Sequence, residues 1–150
     1  MKQLYRFFRL SSGDRQLLIK TFILLSLIRL GLWLLPFQRL RQFLDLIRQG
    51  NRQASQIQPT DPDKIITAVN ISSRYMPGGE KCLARALTTQ TLMFWHGYSP
   101  QLHLGVTKGE QGEFEAHAWV EHQGQVVIGY LADLSRFTPL YYPFWKGVRL

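Results

Sequence analysis

Apolar residues recur at helical spacing through the first half of the chain, and after residue 100 the period changes to two. Residues 1–10 mix basic and aromatic side chains and read as an amphipathic lead-in. Ser11 and Asp14 stand where a hydroxyl cap and a first-turn carboxylate open a helix, predicted over about Arg15 to Leu35. Thr21 to Leu35 is almost wholly apolar, but Lys20 and Arg29 interrupt it short of the roughly 20 residues a bilayer span requires, which favours a buried helix. Pro36 breaks or kinks that helix, and Phe37, Leu40, Phe43, Leu44 and Ile47 resume the period, with Arg39, Arg41 and Arg48 on the opposite, solvated face.

Gly50 to Thr60 is polar and reads as a linker. Asp61, Pro62 and Asp63 then carry the signature of a helix start, with Ile65, Ile66, Val69 and Ser73 facing inward. Pro77-Gly78-Gly79 punctuates a turn, after which Leu83, Ala86, Leu87, Met93 and Phe94 mark another helix, stopped at Gly97. Gln101 to Lys108 and Phe114 to Glu121 alternate as strands around a Gly109–Gly112 turn, and Gln123-Gly124 leads into a third strand, Gln125 to Ile128. Helices followed by an antiparallel meander predict an α+β fold in which a helical region, residues 1–50, packs on a core, residues 51–150, to form one compact domain. The aromatic, Pro-broken tail from Tyr141 to Trp145 reads as an irregular covering segment or a binding edge.

The chain is long and apolar enough for one packed core: 150 residues, 45% hydrophobic. Its net charge of +8 is uneven. Residues 1–50 hold nine Lys/Arg against only Asp14 and Asp45, so the basic character belongs to that third, a surface suited to an acidic partner or to lipid. No aromatic-interleaved basic platform accompanies it, which argues against nucleic acid. The histidines at 96, 103, 117 and 122 lack metal-ligand spacing, and neither metal nor cofactor is expected. The single cysteine leaves no internal disulfide and fits a reducing cytoplasm.

That cysteine, Cys82, falls in the first turn of its helix, where unpaired N–H groups and the helix dipole favour a thiolate. His117 follows on a strand, and together they make the two halves of a thiol-hydrolase pair. The bland alternatives are a small buried cysteine and a histidine that fills a strand position. Period two sets His117, Trp119 and Glu121 on one face of that strand, and Trp119 serves either as a cleft wall that binds substrate or as core. Glu121 lies roughly 13 Å along the strand from His117, too far to orient it. His96, His103 and His122 read as structural or exposed.

Cys82-Leu83-x-x-Ala86-Leu87, the Gly97-Tyr98 break, the strand Leu102-His103-Leu104-Gly105-Val106 and then Ala116-His117-Ala118-Trp119-Val120-Glu121 resemble the leader peptidases of lasso-peptide biosynthesis. These microcin-processing proteins are transglutaminase-like, papain-like cysteine hydrolases. The likeness extends to Leu10–Arg15, Arg29-Leu30, Leu34–Phe37 and Arg136–Leu140. It implies a transglutaminase-like core in which the Cys82 helix packs on an antiparallel sheet, and a substrate that is a ribosomally made precursor, cut between leader and core, commonly with a threonine near the leader's end. It also implies a third catalytic residue, usually an aspartate about a dozen residues after the histidine. That position falls at Ile128-Gly129, where no carboxylate stands. Asp133 is the candidate if the chain turns back; a backbone or amide group orienting His117 is the other. The family's winged-helix leader-binding module has no strand-rich counterpart before Gly50, so the resemblance implies a separate leader-binding protein as partner, with a macrocyclase as a further one. A transglutaminase-like acyltransferase and a catalytically silent peptide-binding protein are the rival readings.

Overall fold

The computed structural model of the chain describes residues 2–50, 60–78 and 81–140. Its helices are α1 (Lys2–Phe8), α2 (Ser12–Leu34), α3 (Phe37–Gly50), α4 (Pro62–Arg74) and α5 (Cys82–Trp95), and its strands β1 (Gln101–Lys108), β2 (Phe114–His122), β3 (Gln125–Ile128) and β4 (Thr138–Pro139). The linker expected over 50–60 falls, but for its ends, outside the described residues, as does the tail beyond 140.

The caps form where the sequence places them. Ser11 accepts from the Asp14 N–H at 3.2 Å, and Asp61 accepts from the Asp63 N–H at 2.9 Å, with Pro62 inside the first turn. The Asp14 carboxylate also reaches Lys64 at 3.2 Å and so ties the start of α2 to α4.

The helix α5 is the axis of the molecule. Ten of its fourteen residues are buried, from Leu83 through Met93, because α2, α3 and α4 cover one side of it and β1, β2 and β3 the other. This leaves α5 with little amphipathic contrast, as expected of a helix enclosed all round. Leu25 and Ile28 of α2, Leu40 and Leu44 of α3, Ile65 and Val69 of α4 and Leu102, Leu104, Ala118, Val120 and Ile128 of the sheet close on Leu83, Leu87, Leu92 and Met93 as one core.

Two expectations for the N-terminal third need correction. Instead of being a buried helix, α2 buries only Thr21, Leu25 and Ile28; the face carrying Ile19, Phe22, Ile23, Leu27, Leu30, Trp33 and Leu34 is exposed. By length and composition alone α2 is apolar enough to cross a membrane. Arg48 is not on a solvated face either. It is buried, and its guanidinium bridges Asp45 Oδ1 at 2.9 Å and Gln90 Oε1 of α5 at 3.0 Å, so a side chain that periodicity sets outside becomes a link between α3 and the central helix.

The sheet order is β3-β2-β1-β4, antiparallel at each described pairing. The β2–β3 turn is tight, with Gln123 and Gly124 both at positive φ, the geometry that matches the twist of the strands it joins. The edge strand β4 has no periodic signal, being two residues with a proline. It forms because the chain after Ile128 folds back through a short 3-10 turn, Leu134–Arg136, and lies against Gly105 and Val106 of β1. The Leu140 N–H then donates to the Leu104 carbonyl at 2.7 Å and fixes the last described residue at the sheet.

Candidate active site

Cys82 is the first residue of α5, preceded by Lys81, which has no side-chain cap bond. The first helical N–H–O bond is made by Arg85 to the Lys81 carbonyl, so the N–H groups of Cys82, Leu83 and Ala84 come before the intrahelical ladder and are donors aimed out of the helix end. His117 lies in the middle of β2, paired in register with Gly105 of β1. Cys82 and His117 line one cavity of about 630 Å³ together with Leu83, Ala84, Leu104, Ala116, Ala118 and Leu140. The helix start and the strand thus bring both predicted residues to the border of one cavity.

His117 Nε2 lies 2.7 Å from the carbonyl oxygen of Gly129. A carbonyl only accepts, so Nε2 carries the proton in this bond and the lone pair of the neutral ring is on Nδ1. Of the two alternatives open in the sequence, the backbone one is therefore realised. Gly129 presents its carbonyl from a φ of +81°, and a Cβ at this position would stand 2.6 Å from the Ala118 oxygen and 2.9 Å from Trp119 Cβ. Only glycine allows the chain to pass this close to β2 in that conformation.

The Asp133 carboxylate is elsewhere. It is exposed and pairs with Arg136 at 3.0 Å, and Arg136 also reaches Glu115 at 3.1 Å, so the turn after β3 does not carry Asp133 to the imidazole. Asp133 stands four residues past Gly129, and the backbone of Gly129 already holds the place at Nε2 that the expected aspartate would take.

Trp119 does not belong to the cavity wall. It is buried beside His117, with nearly parallel rings, centroids 6.3 Å apart and 16° between planes, and it also stacks with His103 at 5.4 Å. The indole N–H donates to Glu121 at 3.1 Å, and the other Glu121 oxygen stands 3.4 Å from His103 Nε2. Phe137, at 5.6 Å, flanks His117 from the segment that leads into β4. Trp119 and Phe137 thus flank the imidazole, and Glu121 holds the indole rather than His117 itself.

The remaining wall escaped the sequence reading. Arg29, Leu32 and Trp33 of α2 and Phe37 of α3 line the same cavity, so the N-terminal helices are part of the site and not only a support for it. Arg29-Leu30 stood out in the sequence as a point of family likeness, but nothing in the helical period marks Arg29 as facing a cavity. Among the described residues no group of three or more His, Cys, Asp or Glu is placed to hold a metal ion.

A thiol on a helix N-terminus, an imidazole with its Nε2 proton held and its Nδ1 left as the acceptor nitrogen, and N–H donors at the helix end are the parts that acyl transfer through a thioester requires. Neither a curated protein nor a solved structure matches the sequence. The model of the transglutaminase-like superfamily, which includes cysteine peptidases and acyltransferases, matches residues 23–142. That span starts inside α2, crosses from the helical region into the core, and contains Arg29, Cys82, His117 and Gly129. With most of its length matched in this way, the chain belongs to the transglutaminase-like superfamily.

Proposed function

We propose that this chain is a cysteine peptidase that removes the leader from a ribosomally made lasso-peptide precursor. The observation that carries the chemistry is the shared cavity of Cys82 and His117, with His117 Nε2 on the Gly129 carbonyl. In this reading Cys82 Sγ attacks the scissile carbonyl, and the oxyanion forms against the N–H groups at the start of α5. The C–N bond breaks as His117 delivers the proton taken from the thiol to the leaving amine, and a thioester remains. Water, deprotonated by His117, attacks the thioester; its C–S bond breaks and the thiol is restored. Gly129 keeps the ring in the tautomer this requires. The choice of a leader–core junction as substrate rests on the resemblance of the Cys82–Leu87 and Ala116–Glu121 motifs and of the N-terminal segments to the leader peptidases.

The partner in this reading is a separate leader-binding protein. The elements described before residue 50 are α1, α2 and α3 alone, and α2 and α3 offer the exposed apolar residues Leu27, Leu30, Trp33, Leu34, Phe43 and Leu46 for docking. A macrocyclase acting on the released core follows in the same pathway, and the reaction is placed in the cytoplasm. The test is cleavage of a lasso precursor, followed by mass spectrometry with and without the leader-binding protein. Wild type with its partner yields free leader and core, whereas Cys82→Ala and His117→Ala yield neither. Cleavage retained in Cys82→Ala removes the thiol from the reaction. Product carrying an added primary amine in place of water would identify an acyltransferase instead.

A further inference from the structure

The wall that α2 contributes to the cavity contains a charge the peptidase chemistry does not use. Arg29 lines the cavity that Cys82 and His117 also line, with Leu32, Trp33 and Phe37, and among the described residues no carboxylate pairs with it or lines the cavity. Lys81 is the second cation of the lining, so the described polar side chains there are Arg29, Lys81, Cys82 and His117. The guanidinium lies beside Gly78, at φ +85°, where a Cβ would stand 3.1 Å from Arg29 Nη2. A half-buried guanidinium in an otherwise apolar wall, with no carboxylate on it among the described residues, is a fork of N–H donors whose geometric match is a carboxylate.

We propose that Arg29 is a specificity-determining residue that receives an acidic side chain of the peptide substrate, close to the bond presented to Cys82, while Leu32, Trp33 and Phe37 hold the apolar neighbours of that acid. The proposal rests on the reading of the cavity as the peptide-cleaving site, but it concerns recognition, which is measured without turnover. A cavity of about 630 Å³ takes a few residues of extended peptide, and an apolar surround strengthens a charge-assisted bond there relative to water.

The experiment uses Cys82→Ala, which binds without cleaving, and fluorescein-labelled octapeptides that differ only in carrying Glu, Gln or Lys at one of the four central positions. At one position Glu binds about tenfold or more tightly than Gln, as a charge-assisted bond to arginine implies. In Arg29→Gln the Glu and Gln peptides become equal, in Arg29→Lys a preference for Glu returns in part, and in Arg29→Glu the order turns to Lys over Glu. Equal affinities for Glu and Gln at every position overturn the proposal, as does the absence of measurable binding. A second measurement follows iodoacetamide labelling of Cys82 against pH in the chain with and without Arg29→Gln. If that profile moves while peptide preference does not, Arg29 serves the thiolate and the proposal falls. Preference for Glu in a protein whose Cys82 form cleaves no peptide leaves the recognition site standing and removes the peptidase reading, so the two failures are distinct.

Discussion

His117 is held by a group that cannot change its charge. In a triad with an aspartate, the carboxylate both orients the imidazole and stabilises the imidazolium; a backbone carbonyl provides orientation with a dipole only. Asp133→Asn is therefore expected to change single-turnover cleavage by less than about twofold, whereas loss of a true triad aspartate costs about 10⁴. A large loss would bring Asp133 back to the imidazole. Gly129→Ala is expected to act in the opposite sense. Its Cβ has no space between Ala118 and Trp119, and a non-glycine residue at φ +81° adds strain of about 1 kcal/mol or more, so the carbonyl moves off Nε2. Cleavage should fall by at least about tenfold, read as a loss of kcat with KM little changed. Trp119→Phe keeps a stacked ring but gives up the N–H bond to Glu121; a loss smaller than that of Trp119→Ala is the mark of a positioning role.

At the scale of elements, α5 carries the cysteine, and its rigidity comes from what encloses it. Arg48 of α3 bonds Gln90 of α5 in a buried setting, and a cut on the arginine side leaves an unsatisfied amide inside the protein. Arg48→Ala should lower stability by about 1–3 kcal/mol in urea unfolding, and Gln90→Leu in the same chain should recover part of that loss. The other end of α5 carries a pH dependence. Burial, and secondarily the nearby Lys20 cation, lower the pKa of His96 below its usual 6.5. The unfolded chain then binds the extra proton first, so stability is full above about pH 6.5 and is lost as pH falls from there through the lowered folded value. The melting temperature should drop between pH 7 and pH 5, and His96→Gln should drop less. An identical drop in both would place the sensitivity elsewhere.

For the whole molecule, the surface of α2 is the feature most at odds with a self-contained globule. Seven apolar side chains from Ile19 to Leu34 share its exposed face, and Trp33 is 81% exposed. Under the proposed function that face is where the leader-binding protein docks. Leu27→Glu with Leu30→Glu should leave the unfolding free energy within about 1 kcal/mol, since exposed positions contribute little packing, while removing most of the acceleration that the partner confers. Acceleration equal to wild type in that variant would move the docking surface elsewhere.

Much was legible because it depends on near neighbours along the chain. Caps at Ser11 and Asp61, the break at Pro36, the bounds of β1 and β3, and the placing of Cys82 at a helix start and His117 on a strand all follow from local hydrogen bonding and from period. Periodicity reports that a face is apolar but not whether anything covers it, so α2 read as buried although most of its apolar face is exposed, and Arg48 read as solvated although Gln90 awaited it. The same limit hid Arg29, Trp33 and Phe37, which reach the cavity only because α2 and α3 fold back over the start of α5. The partner of His117 lay further still from any sequence signal. A catalytic aspartate is a residue type that can be sought along a chain, but a carbonyl is present at every residue, and only the path of the chain after β3, turned by Gly129 against Ala118 and Trp119, decides which one meets Nε2.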